Sequence, residues 1–156
     1  MLAENTVLTG RRAITRSYAK INLTLDVLSK RENGYHDIKM IMQTVSLFDL
    51  ILVDKTHRGI SISTNLPYLP CNEKNIAYKA ADAFFKATGI RGGAKIVIHK
   101  NIPVAAGLAG GSGNCAAVLT AMNMLHGNPL SNDELMHIGA SLGADVPYCF
   151  DGGTQL

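Results

Sequence analysis

The amino-acid sequence predicts a mixed α/β domain of the α+β kind, and three observations support this fold class. Apolar and polar residues alternate over 19–27, which is the period of a strand, whereas apolar residues recur at helical spacing over 76–85. A glycine-rich segment over 107–113 comes directly before another helical pattern. The 156 residues suffice for one domain or for part of a larger one.

The first half of the chain is predicted to be mainly extended. Residues 1–13 show no periodicity, so we expect a flexible extension followed by a domain over 14–156. The first clear strand, Ala19–Val27, should bury its apolar face and place Lys20 on the opposite, polar face. The Asn-Gly pair at 33–34 predicts a turn. Further extended segments are predicted over 36–47, 51–53 and 60–63.

The second half of the chain is predicted to be mainly helical. A helix should begin near residue 76 and end at Gly89, a suitable C-cap. Ser131 and Glu134 have the spacing of a capping box, which predicts the start of another helix. The remaining predictions are a strand over 94–99, a helix over 114–125, the end of the capped helix near Gly143 and a strand that begins at 148–150.

The composition excludes several classes of protein. With 47% apolar residues, the chain is neither disordered nor fibrous. No apolar stretch approaches the ~20 residues of a membrane span, and residues 1–16 contain no apolar run of signal-peptide length. We therefore expect a cytoplasmic protein without a membrane partner. The three cysteines are far apart, which disfavours disulfides or a zinc site and favours buried free thiols.

The charge distribution disfavours a nucleic-acid partner. The net charge of +3 comes from basic residues scattered among acids, and residues 101–156 contain no lysine or arginine. Binding to a phosphate backbone requires a concentrated basic face. We therefore do not expect RNA or DNA as a partner.

The glycine-rich segment is a candidate anion site. Four of the 15 glycines lie within 107–113, where exposed N–H groups and the dipole of the following helix can bind an anion. A Walker A loop is excluded, because the chain has no G-x-x-x-x-G-K-[ST] sequence. Residues 111–116 match the G-x-G-x-x-A dinucleotide pattern, but the preceding strand ends near residue 100, too early for a Rossmann turn. A flexible loop and a dinucleotide site stay open as less favoured alternatives.

Four segments together resemble the GHMP family of small-molecule kinases. Three of them are Tyr18–Leu23, Pro103–Ser112 and Leu142–Pro147, in this order along the chain. The fourth, Asn33–His36, narrows the resemblance to one branch of the family. The resemblance extends from about residue 14 to the last residue.

The resemblance implies a fold, an activity and cofactors. The fold would be like domain 2 of ribosomal protein S5, with a second, C-terminal domain that this chain lacks. The activity would be ATP- and Mg²⁺-dependent phosphorylation of the 2-hydroxyl of a cytidine diphosphate methylerythritol, in non-mevalonate isoprenoid biosynthesis.

The resemblance also assigns candidate site residues. Lys20 and Asp145 would be the catalytic pair, and Lys100 and Asn75 would lie near the adenosine. The substrate would be bound by Asn22, Tyr35 and His36. No residue is assigned as a metal ligand. The loop that wraps the ATP phosphates would consist of Pro103, Val104, Ala105, Ala106, Gly107, Leu108, Ala109, Gly110, Gly111, Ser112 and Gly113.

Simpler interpretations and departures from the family pattern stay open. Lys20 could be an ordinary solvated lysine, and Asp145 could be a local helix cap before Pro147. Gly113 and Cys115 stand where the family often has a hydroxyl or alanine, which could remove a phosphate or Mg²⁺ contact. The rival functions are a truncated, inactive homologue that binds nucleotide or a partner, and an S5-like RNA-binding module.

Overall fold

The computed structural model describes residues 1–30 and 36–156, which form one twisted sheet with helices packed against it. The sheet order is β1-β2-β3-β5-β4, and β6 pairs with β3. All pairs are antiparallel except β4 with β5. The mixed α/β prediction is confirmed. The elements are β1 (Thr6–Thr9), β2 (Arg12–Lys30), β3 (His36–Thr56), β4 (Gly59–Thr64), α1 (Ile76–Thr88), β5 (Gly93–His99), α2 (Gly110–Leu125), α3 (Asn132–Leu142), α4 (Val146–Asp151) and β6 (Thr154–Gln155).

The hydrophobic core lies between the sheet and helices α1 and α2. Ile51 of β3 and Ile96 of β5 are fully buried and pack with Phe84 of α1 and Val118 of α2 in one cluster. Burial of each such side chain stabilises the fold by roughly 1.5–3 kcal/mol. No helix in the described ranges is long and apolar enough to cross a membrane.

The predicted C-cap of α1 and the predicted capping box of α3 are confirmed. The Asn75 side chain accepts a hydrogen bond from the N–H of Ala77 (3.0 Å), and Gly89 ends the helix with φ 66°. Ser131 and Glu134 form both hydrogen bonds of a capping box. Hydrogen bonding from Ser131 lowers the pKa of the Glu134 carboxyl.

The predicted flexible extension at 1–13 is wrong. Residues Thr6–Thr9 pair with β2, and the side chain of Leu2 is only 2% exposed. The N–H of Leu2 also donates to the carbonyl of Phe150 (3.1 Å). Tertiary contacts order this segment, so its lack of local periodicity was a poor guide.

Three further sequence predictions need correction. Helix α2 begins at Gly110 rather than near residue 114. Its first turn contains three glycines, which are weak helix formers and so gave no helical signal in the sequence. The predicted strand at 148–150 belongs to helix α4, where Pro147 occupies the first turn, a position that suits its fixed φ. Cys115 and Cys149 are buried free thiols as expected, but Cys71 is exposed.

The predicted buried face of Ala19–Val27 is wrong for most of its length. Ala19 is buried, but Leu23 and Val27 are 55% and 61% exposed. Pairing with β3 shifts register at Tyr18/Lys20, Asn22/Thr24 and Val27/Ser29, so bulges interrupt the alternation. Among the described residues, α2 packs on the first half of β2. The second half of β2 and the first half of β3 form an exposed two-stranded ribbon.

Candidate functional site

The loop between β5 and α2 has a backbone conformation that favours anion binding. Ala105, Gly107 and Ala109 have φ of 58°, 72° and 56°. The left-handed region is uncommon for alanine, and strained residues of this kind concentrate at functional sites. Left-handed residues of this kind occur in backbone nests, in which successive N–H groups can bind an anion.

The N-terminus of α2 adds further N–H groups that have no intrahelical partner. The first intrahelical hydrogen bond runs from Gly113 N to Ala109 O (2.8 Å), so the N–H groups of Gly110, Gly111 and Ser112 precede the intrahelical series. The N-cap residue is Ala109, whose methyl group cannot cap these donors. The positive end of the helix dipole adds to their attraction for an anion.

The glycines of the first turn differ in what surrounds them. A Cβ at Gly110 would lie 2.9 Å from Lys100 Nζ, and one at Gly113 would lie 2.5 Å from Ser17 Oγ. A Cβ at Gly111 would meet only Ile76 Cγ2, at 3.8 Å. A side chain at 110 or 113 would therefore displace neighbouring side chains, whereas the open side of Gly111 allows a ligand to approach the backbone closely.

Lys20 and Asp145 form an ion pair at the edge of this loop. Lys20 Nζ lies 3.4 Å from Asp145 Oδ2, and the exposed fractions of the two side chains are 5% and 38%. Lys20 Nζ also donates to Asn22 Oδ1 (2.8 Å), so the three predicted residues lie together. Asp145 is the N-cap residue of α4, but its side chain makes no capping hydrogen bond, which disfavours the local-cap alternative.

The backbone connects Lys20 directly to the glycine loop. The register of β2 against β3 shifts between Tyr18 and Lys20, and at this bulge the N–H of Lys20 donates to the carbonyl of Leu108 (3.1 Å). A cavity of about 310 Å³ is lined by Asp145 and by the loop. Its loop residues are Pro103, Ala105, Ala106, Gly107, Leu108, Ala109, Gly110, Gly111 and Ser112.

A second cavity of about 250 Å³ adjoins the first through Ile76 and Gly111. Asn75 and Lys100 line it, as do Leu69, Pro70, Lys74, Ile98, Val104 and Asn114. These apolar side chains with a few polar groups are typical of a small-molecule pocket. The predicted neighbours of the adenosine therefore lie beside the loop cavity.

The ammonium group of Lys100 is held inside the protein. It contacts the carboxylate of Asp49, and Asn114 Oδ1 accepts a further hydrogen bond from it (3.2 Å). Asp49 is fully buried and was not singled out from the sequence. An acidic residue within the otherwise apolar run 47–53 of β3 is the signal that could have indicated it.

One of the predicted substrate residues, His36, lies at the far end of the ribbon. Tyr35 lies outside the described residues, and His36 begins β3 with its backbone opposite Lys30.

The loop cavity contains residues that could hold the expected Mg²⁺. Within residues 1–30 and 36–156 no three His, Cys, Asp or Glu side chains come together as a metal site. Mg²⁺ in kinases is commonly held by one or two protein groups together with substrate phosphates. Asp145 and Ser112, which line one cavity, fit that requirement.

The fold and the loop define the class of this protein. The family described as "GHMP kinases N terminal domain" matches residues 75–153, which include the loop, α2 and Asp145. The chain belongs to the GHMP kinase family.

Within this family, the chain is similar to curated relatives that share one name. The chain is 52% identical over 141 residues to "4-diphosphocytidyl-2-C-methyl-D-erythritol kinase" of Clostridium botulinum (strain Alaska E43 / Type E3), a match that covers 90% of this chain and 50% of the relative. It is 54% identical over 142 residues to the protein of the same name from Clostridium perfringens (strain ATCC 13124), covering 90% and 49%. The chain thus spans about half the length of the curated relatives it matches.

A solved structure agrees with these relatives. The crystal structure of a 4-(cytidine 5'-diphospho)-2C-methyl-D-erythritol kinase matches with a TM-score of 0.77 and 36% identity. The match covers 88% of this chain and 48% of that one.

Proposed function

We propose that this chain supplies the ATP-binding and catalytic half of a kinase that phosphorylates the 2-hydroxyl of 4-diphosphocytidyl-2-C-methyl-D-erythritol in isoprenoid biosynthesis. The observation that carries the proposal is the shared cavity of Asp145 and the uncapped first turn of α2. An acidic side chain thereby faces the place where backbone N–H groups can bind a phosphate. The names of the relatives supply the substrate.

The loop binds the triphosphate through its backbone. The segment 101–156 contains no lysine or arginine, so N–H groups of the loop and of Gly110, Gly111 and Ser112 bind the phosphate oxygens. The nucleoside occupies the adjoining cavity beside Asn75. Mg²⁺, when bound with Asp145 and Ser112, supplies positive charge to the phosphates.

Asp145 and Lys20 act on the acceptor hydroxyl. The hydroxyl oxygen attacks the γ-phosphorus, the bond to the bridging oxygen breaks, ADP leaves, and the hydroxyl proton passes to the Asp145 carboxylate. The Lys20 ammonium, 3.4 Å from Asp145, stabilises the negative charge that develops on the attacking oxygen. Asn22 orients Lys20, and Tyr35 and His36 contact the cytidine part of the substrate.

A second candidate function is nucleotide binding without turnover. The observation that favours it is that the loop cavity and the adjoining cavity beside Asn75 lie together, whereas the predicted substrate residue His36 lies at the far end of the ribbon. ATP binding without phosphate transfer would support this candidate.

The proposal is tested with the Asp145→Asn variant. We expect ATP affinity to be retained while ADP production in the presence of the cytidine substrate falls by about 10²–10⁴-fold, the usual contribution of a general base. Asp133→Asn, at an exposed acid in the first turn of α3, is the matched control and should keep wild-type activity. Wild-type turnover in Asp145→Asn would refute the role of Asp145, and absence of ATP binding in the wild-type chain would refute both candidate functions.

A further inference from the structure

Asp49 of β3 has the most heavily bonded buried carboxylate near the proposed site. Its side chain is fully buried. Oδ1 accepts hydrogen bonds from the N–H groups of Asn101 (2.8 Å) and Ile102 (2.9 Å). Oδ2 accepts from Asn114 Nδ2 (2.8 Å) and from Lys100 Nζ.

The four donors come from the two segments that flank the glycine loop. Residues 100–102 lead into the loop from β5, and Asn114 lies in the second turn of α2, directly after the loop. Gly110 packs onto the first segment, because a Cβ there would lie 2.9 Å from Lys100 Nζ and 3.0 Å from Ile102 Cγ2. One carboxylate therefore ties the entrance of the loop to the start of the helix that follows it.

We infer that Asp49 is a positioning residue for the glycine loop, whose buried carboxylate holds both ends of residues 103–109 in the shape that receives a nucleoside triphosphate. The inference rests on the proposed function, because the ligand is the ATP of that proposal. Asp49 acts through the loop and makes no contact with the ligand itself. The loop has three fixed points: its entrance and its exit at Asp49, and the Leu108 carbonyl at the N–H of Lys20.

The chemistry of the four donors requires a carboxylate at this position. An ionised carboxylate offers about four lone-pair sites and no donor, which matches two backbone N–H groups, one amide N–H and one ammonium. An asparagine would keep an oxygen for the backbone N–H groups but would turn its own N–H₂ towards Lys100 and Asn114. Lys100 balances the buried charge, so its ammonium serves the loop from inside the protein rather than the ligand directly.

Two variants separate positioning from general stability. Asp49→Asn keeps an acceptor for the backbone N–H groups, whereas Asp49→Leu combined with Lys100→Met removes the ion pair without leaving a buried charge. Asp54→Asn is the control, since Asp54 lies on the same strand but pairs with Arg12 at the surface. The measurements are the dissociation constant of ATP and the hydrogen exchange rates of amides 101–110, with those of α3 as an internal reference.

The expected result is a graded, local effect. In the double variant, ATP binds about tenfold more weakly because the loop is no longer preorganised, and amides 101–110 exchange at least about tenfold faster while α3 is unchanged. Asp49→Asn shows a smaller loss of about threefold in affinity, and Asp54→Asn matches the wild type. A folded double variant with wild-type affinity and exchange rates would overturn the inference.

The measurements also distinguish failure of this inference from failure of the proposed function. If the wild-type chain does not bind ATP, the proposed function is wrong, and the exchange rates of 101–110 still decide whether Asp49 sets the loop. If neither variant folds, the hydrogen exchange rates of the wild-type chain decide whether Asp49 holds the loop. Slow exchange at Asn101 and Ile102 supports the inference, whereas exchange as fast as in an unprotected loop overturns it.

Discussion

The chain contains two lysine–aspartate pairs that flank one loop and differ in what their aspartates can do. Lys20 and Lys100 are equally buried, with side chains 5% exposed. Asp49, the partner of Lys100, is fully buried, whereas Asp145, the partner of Lys20, is 38% exposed and lines a cavity. We call Lys100–Asp49 the closed pair and Lys20–Asp145 the open pair.

The difference lies in the lone pairs that remain for a ligand. Every oxygen of Asp49 accepts hydrogen bonds from the protein, so the closed pair can only hold structure. Asp145 makes a longer contact with Lys20 and has no capping role in α4, so its carboxylate can take up a proton or bind a cation. Identical residue types thus differ in their capacity to bind a ligand, because the number of donors around them differs.

The largest expected effect is on stability. Asp49→Ala leaves Lys100 buried without a counter-charge and frees two backbone N–H groups, so we expect it to lower the free energy of unfolding by about 3–5 kcal/mol. Asp145→Ala also removes the counter-charge of a buried lysine, but Asp145 is half-exposed, so water can enter the vacated site, and Lys20 keeps its hydrogen bond to Asn22. We therefore expect a smaller loss of about 1–2 kcal/mol. Urea denaturation of both variants measures the contrast. Equal losses would show that the two pairs do not differ as described.

A smaller contrast is expected between two neighbouring glycines. Gly110→Ala pushes a methyl group against the closed pair and Ile102, so we expect a loss of about 1–3 kcal/mol from overpacking. Gly111→Ala faces the open cavity and should keep or slightly raise stability, since alanine favours a helix. Thermal unfolding gives the stability of each variant, and titration with ATP gives its affinity.

The two glycines should also differ in their effect on ATP binding. Because its methyl group fills the side of the helix that faces the ligand, Gly111→Ala should bind ATP more weakly. A stable Gly111→Ala variant with unchanged affinity would argue against phosphate binding at this turn.

The smallest expected effect is on the chemical reactivity of Cys149, which is in contact with Asp145 of the open pair. Its thiol donates to the Asp145 carbonyl (3.2 Å), and burial, with a further contribution from the charge of Asp145, raises its pKa to about 12. Burial likewise raises the pKa of Cys115 to about 12. The thiolate fraction of both is therefore negligible near pH 8, where iodoacetamide should modify the exposed Cys71 alone. Mass spectrometry of the native chain would contradict this description if it found rapid labelling of Cys149.

The local features of the fold were predictable because short sequence patterns determine them. Gly89 and the Ser131–Glu134 box act within a few residues, and the structure has each of these caps where the sequence indicates it. The approach of Lys20 to Asp145 is a long-range contact, and it was expected from resemblance to a family rather than from periodicity. Their chemical roles stay predictions.

The features that were missed depend on tertiary context. The alternation over 19–27 predicts a strand but cannot tell whether another element covers its apolar face, and Leu23 and Val27 are exposed. Asp49 lies within the apolar run 47–53 of β3 and acquires its donors from residues more than 50 positions later. The ordering of Leu2 likewise depends on a contact with Phe150 at the other end of the chain.

The most direct test of the proposed function is whether ATP binds at the first turn of α2. In ¹H–¹⁵N spectra titrated with ATP and Mg²⁺, the amide signals of Gly110, Gly111 and Ser112 should shift most, because these N–H groups begin the helix and face the loop cavity. Signals of α3, on a different part of the molecule, should change little. If the spectrum does not change, or if the shifts concentrate away from the loop and α2, the central claim is contradicted.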